Sequence, residues 1–86
     1  MSPRRILFVC IGNAYRSQMA EGFMRSFAGR EFDVFSAGLS PAPRLPRETV
    51  NMMAEMGIDV SDHFPKSLDG VLHIRYDVIV NISGTP

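Results

Sequence analysis

The chain has one cysteine among its 86 residues, so no disulfide can close within it. A thiol left reactive fits a reducing compartment, and the cytoplasm is the expected location. Neither sign of charge is in excess: nine basic and nine acidic residues are interspersed and give a formal net charge of zero. Without a basic stripe, nucleic acid is not an expected partner. No hydrophobic run is long enough to cross a membrane, and no membrane association is expected. Arg4 and Arg5 precede an apolar run, but Asn13 and Arg16 interrupt it before any small-residue cleavage pattern, so it does not read as a signal peptide. The two histidines, His63 and His73, show no paired ligand spacing, which argues against a metal site; no cofactor is expected either. Internal repeats and low-complexity tracts are missing too.

What remains is ordinary globular composition, 45% hydrophobic and 21% charged, sufficient for one small domain over residues 1–86. Its core lies near the lower size limit for independent stability.

One stretch organises the chain: Val9-Cys10-Ile11-Gly12-Asn13-Ala14-Tyr15-Arg16-Ser17. It follows an apolar run at 6–9, which reads as a parallel strand buried on both faces. It leads into residues 17–28, where Met19, Ala20, Phe23, Met24 and Phe27 recur at i, i+3, i+4 spacing. That pattern predicts a helix with these five residues on its buried face, ended by Gly29. A strand, a tight polar turn and a helix start gather backbone N–H groups around one point, with the positive end of the helix dipole aimed there. Cys10 opens this anion cradle and Arg16 closes it. A thiolate at Cys10 is favoured by the dipole and the guanidinium, and the guanidinium fork suits a tetrahedral oxyanion. The blander reading of Cys10, an inert core cysteine, is disfavoured by the loop and by Arg16. Gly12 and Asn13 tolerate left-handed backbone angles and read as the loop's conformational residues, Asn13 as a brace. Ser17 reads as a polar cap at the helix start.

Beyond the helix, residues 32–35 predict a second strand and 37–47 a loop carrying Pro41, Pro43 and Pro46. Pro46 suits the first turn of a second helix running to about Met56, with Val50, Met53 and Ala54 on one face, Met52 and Met56 on a neighbouring stripe, and Gly57 as its stop. Residues 58–72 show no clear pattern, with a turn of helix expected near 69–73. Residues 76–82 form a third β-rich run, and 83–86 read as a turn. Strand–helix–strand–helix–strand spells an α/β fold with a parallel sheet. Right-handed crossovers allow the first strand to lie between the other two, which puts the loop at the switch point where such sheets bind ligands.

The run from Cys10 to Ser17 continued by Gln18-Met19-Ala20-Glu21 resembles the low-molecular-weight protein tyrosine phosphatases and the arsenate reductases that share their fold. Phe35-Ser36-Ala37-Gly38, Gly57-Ile58-Asp59-Val60-Ser61-Asp62-His63, Lys66-Ser67-Leu68 and the weaker Tyr76-Asp77-Val78-Ile79-Val80 extend the resemblance over nearly the whole chain. It implies a three-layer sandwich with sheet order second-first-third-fourth, of which three strands and two or three helices are present here. The members usually continue with a helix, a fourth strand and a C-terminal helix packed beside the first. Exposed sheet surface then predicts a homodimer or exchange of elements, or a longer protein of which this is a part.

For the site, the resemblance implies Cys10 as nucleophile and Arg16 as oxyanion clamp. Ser17 would hydrogen-bond the thiolate, and residues Ile11, Gly12, Asn13, Ala14 and Tyr15 would cradle phosphate or arsenate. Glu21, Ser36 and Lys66, with Asn13, match a network supporting the loop in reductase relatives. Lys66 is read there either as a counterion to Glu21 or as a solvated lysine. Tyr15 stands where many relatives carry a second cysteine, and Ser83 where another thiol is expected; Tyr15 then walls the pocket or merely covers the loop. Two departures follow. The family's downstream acid–base aspartate has no counterpart among Asp59, Asp62, Asp69 and Asp77. An internal disulfide relay cannot form, so reduction requires an external thiol. The implied function is hydrolysis of phosphotyrosine-type monoesters through a phosphocysteine. The alternatives are arsenate reduction with an outside thiol, and a catalytically weak oxyanion-binding module.

Overall fold

The computed structural model describes residues 4–84, so half of the turn expected at 83–86 lies outside the described residues. Three parallel strands, β1 (Arg4–Cys10), β2 (Phe32–Gly38) and β3 (Val78–Asn81), form one sheet in the order β2-β1-β3. Helix α1 (Arg16–Ala28) joins β1 to β2. Helix α2 (Arg47–Glu55) and a 3₁₀ turn (Leu68–Gly70) lie between β2 and β3. The expected central position of the first strand is borne out.

Register separates the two faces of the sheet. Leu7 pairs with Phe35 and Ile79, and Val9 with Ala37 and Asn81, so these residues share one face. Leu7, Val9 and Ala37 are buried there against Val71, with Leu68, Ile74 and Tyr76 around them. The other face carries Ile6, Cys10, Val34 and Ser36, all buried. Ser36 there meets Glu21 of α1. The second face is therefore covered by helix, and the first by an irregular segment holding one turn of 3₁₀ helix. Phe35 and Tyr76 meet edge to face, ring centroids 5.5 Å apart, and fix that segment against β2.

Helix α2 behaves largely as its pattern predicts. Met53 is fully buried and Met52 and Met56 are exposed, but Ala54 is exposed as well. Pro46 precedes the helix as its extended N-cap. Gly57 ends it with φ +77°, its N–H donating to Ala54 O, while the Ile58 N–H donates to Met53 O; the left-handed angle explains glycine there.

Helix α1 departs from expectation. Its fully buried residues are Ser17, Gln18, Glu21 and Gly22. Met19, Ala20, Phe23 and Met24 are half-buried, and Phe27 is 78% exposed. Hydrogen bonds to the loop and to β2 turn the polar face inward, and Gly22 lets α1 lie close to Met53 and Val60, where a Cβ would come 2.7 Å from Met53 Cε and 3.2 Å from Val60 Cγ1. The apolar stripe is left toward the outside.

Candidate functional site

The site is assembled where β1 ends and α1 begins. Cys10 closes β1 and is buried at 4% exposure. Across the following residues, the carbonyls of Cys10, Ile11 and Gly12 accept from the N–H groups of Leu39, Ser40 and Ala42, at 3.0, 2.8 and 2.9 Å. The chain after β2 thus holds the loop by its carbonyl groups. Gly38 makes this approach feasible: a Cβ there would lie 2.7 Å from Ile11 O and 2.9 Å from Asn13 N. The Thr49 hydroxyl of α2 donates to Ala14 O at 2.7 Å and pins the far end of the loop. Helix α1 starts at Arg16, and Tyr15 before it supplies no side-chain cap, so the first-turn N–H groups keep their anion-binding capacity.

Asn13 is the loop's left-handed residue, with φ 51°; Gly12, expected to share that role, has no positive φ. The Asn13 N–H donates to Cys10 Sγ at 3.1 Å, and the Ser17 hydroxyl lies 2.8 Å from the same sulfur. Ser17 is the second residue of α1 rather than its cap. Its hydroxyl serves Cys10 and accepts from Asn13 Nδ2 at 2.7 Å. Arg16, Ile11 and Tyr15 are exposed around the mouth, whereas Ala14 is buried.

Behind the loop, Glu21 is buried at 2% exposure and faces three basic groups. Arg25 Nε is 3.2 Å, Lys66 Nζ 3.6 Å and His63 Nδ1 3.7 Å from its carboxylate oxygens, and the Ser36 hydroxyl donates to it. Asn13, Glu21, Ser36 and Lys66 are thus gathered as the sequence suggested, with Lys66 beside Glu21. Gln18, His63 and Thr49 were not anticipated as parts of this arrangement. Gln18 lay inside the motif that carried the resemblance, and its polarity on a helix start was the available signal. His63 is half-buried, 3.1 Å from Gln18 Oε1. His73 is exposed. The resolved ionisation shifts lie away from the loop. Hydrogen bonds from Ser61 lower the Asp59 carboxyl, and burial raises the Tyr76 phenol.

A buried sulfur beside the Asn13 N–H and the Ser17 hydroxyl, where β1 ends and α1 begins, can attack a tetrahedral oxyanion placed next to it. The profile of the low molecular weight phosphotyrosine protein phosphatases matches residues 5–85. The chain belongs to that family. It is 39% identical over 84 residues to an arsenate reductase of Halalkalibacterium halodurans, an alignment covering 98% of this chain and 60% of that protein. A thioredoxin-dependent arsenate reductase of Corynebacterium glutamicum superposes with a TM-score of 0.86 at 32% identity, over 100% of this chain and 47% of the other. The low molecular weight protein tyrosine phosphatase of T. tengcongensis gives 0.75 at 36% identity, over 92% and 58%. The chain spans about 60% of the length of the curated relatives it matches. Members of this group are cysteine-dependent phosphatases or arsenate reductases.

Proposed function

We propose that this chain carries the arsenate-binding and thiolate half of an arsenate reductase, with Cys10 as nucleophile and Arg16 and the amides of residues 11–15 as oxyanion cradle. The observation that carries the reading is the placement of Cys10 Sγ, 2.8 Å from Ser17 Oγ and 3.1 Å from Asn13 N, at the foot of that cradle. The arsenate reductases among the relatives favour arsenate over the phosphomonoester expected first.

In this scheme the Cys10 thiolate forms an S–As bond to arsenate and one arsenate oxygen leaves as water. A second thiol then attacks Cys10 Sγ. The S–As bonding pair stays on arsenic, which departs as arsenite, and the two sulfurs are left as a disulfide. Two electrons pass from the thiols to arsenic. With one cysteine in these 86 residues, the second thiol belongs to another molecule or to a further part of the protein. A thioredoxin-type protein is the expected source of the following reducing equivalents, by likeness to the relative from C. glutamicum.

The second reading, hydrolysis of an aryl phosphate through a phosphocysteine, is favoured by the family match itself and by the T. tengcongensis phosphatase. One experiment separates them: arsenite formation with a monothiol and with thioredoxin, beside p-nitrophenyl phosphate hydrolysis, wild type against Cys10→Ser. Thiol-dependent arsenite formation lost in the variant supports the reductase. Cys10-dependent hydrolysis without arsenite formation replaces it with the phosphatase. Arsenate binding without either leaves an oxyanion-binding module.

A further inference from the structure

The hydrogen bonds behind Cys10 have a fixed direction, and two backbone groups fix it. Gln18 lies fully buried, and its amide nitrogen donates to Phe64 O at 2.9 Å. A carbonyl only accepts, so this bond decides which end of the Gln18 amide is nitrogen. The same nitrogen donates to Asn13 Oδ1 at 3.0 Å. Asn13 Oδ1 also accepts from the Lys66 backbone N–H at 2.8 Å; an N–H only donates, so the Asn13 amide is fixed too. Asn13 Nδ2 is thereby turned to Ser17 Oγ at 2.7 Å, which must accept. Against a Cys10 thiolate, which can only accept, the Ser17 proton points at Sγ, 2.8 Å away. At the other end, Gln18 Oε1 faces His63 Nδ1 at 3.1 Å, and an amide oxygen there requires the proton on Nδ1.

From these bonds we infer that Gln18 is a positioning residue for the nucleophile. With His63 it polarises a chain His63–Gln18–Asn13–Ser17 in which every donor points toward the Cys10 sulfur. Each link thus favours a charged acceptor at the end, and linked hydrogen bonds strengthen one another. Gln18 does this without touching substrate. The inference rests on Cys10 acting as a thiolate, and it holds whether arsenate or a phosphomonoester is attacked.

Alkylation by iodoacetamide reads the thiolate without catalysis, and Cys10 is the one cysteine to react. Gln18→Met keeps the length and apolar bulk of the side chain and removes both donors and the acceptor. The charged groups around the site, Arg16, Glu21, Arg25, His63 and Lys66, stay in place. The expected result is an alkylation profile displaced to higher pH, with the rate near pH 6 reduced roughly threefold to tenfold, the size of one net hydrogen bond. An unchanged profile in folded Gln18→Met overturns the inference. A wild-type profile coinciding with that of a free thiol would instead remove the underlying reading of Cys10, so the two failures are distinguishable. If Gln18→Met does not fold, nitrogen NMR of the wild-type histidine at alkaline pH decides. Neutral His63 protonated on Nδ1 supports the polarity, and protonation on Nε2 overturns it.

Discussion

The two sides of α1 follow opposite rules. Toward the loop and β2 it presents Ser17, Gln18 and Glu21, polar, fully buried and hydrogen-bonded. Among the described residues, no buried side-chain nitrogen or oxygen lacks a partner. On the other side, Phe23 and Phe27 stack with centroids 6.1 Å apart, and Phe27 is 78% exposed. A similar contrast divides the sheet. Its helical face carries the site, whereas the opposite face opens into a groove lined by Leu7, Val9, Leu72, Ile74, Tyr76 and Ile79, the last 60% exposed at an edge strand. The difference is that the polar contacts around Cys10 are satisfied among the described residues, while the apolar face opposite is partly open. Segments distant in sequence, 10–21 with 36–42 and 63–66, meet there through short polar contacts.

Substitutions on the two sides test that contrast. In the packed core, Leu7→Ala removes a side chain 1% exposed and should lower stability by about 2–5 kcal/mol in urea unfolding. A loss below about 1 kcal/mol would mean that Leu7 sits in a looser environment than its burial implies. At the loop, Gly38→Ala forces a methyl against Ile11 O and Asn13 N, both backbone atoms that cannot swing aside. It should cost about 1–3 kcal/mol and weaken arsenate binding measured by calorimetry. Retained affinity would show that the loop tolerates displacement. Thr49→Val leaves the buried Ala14 carbonyl without its hydroxyl donor. The expected loss is about 1–3 kcal/mol, with a matching rise in hydrogen exchange around residues 13–16. On the outer side of α1, Phe27→Ser should change stability by less than about 0.5 kcal/mol. A loss comparable to that of Leu7→Ala would reveal that Phe27 is covered in solution.

The order of elements was legible because each follows a local rule: an apolar run for β1, helical spacing for α1 and α2, β-rich residues for β3. The loop was legible too, since cysteine, a left-handed-tolerant asparagine and arginine stand at fixed spacing. The burial of α1 was not. Hydrophobic periodicity counted Met19, Phe23 and Phe27, whereas the hydrogen-bond demand of Cys10, Asn13 and Ser36 decided which face turned inward. Residues 58–72 resisted reading because turns and one 3₁₀ helix replace any period, so the approach of His63, Phe64 and Lys66 to Gln18 and Asn13 is a tertiary fact without a local signature. Thr49 is similar: a hydroxyl on a helix face gives no hint that it meets a carbonyl 35 residues away.

The most direct test of the proposed oxyanion site is the rate of Cys10 alkylation near neutral pH with and without arsenate. The account predicts fast alkylation that arsenate suppresses to a saturable limit, with the protection lost in Arg16→Ala. Slow alkylation typical of a free thiol, indifferent to arsenate, would contradict it.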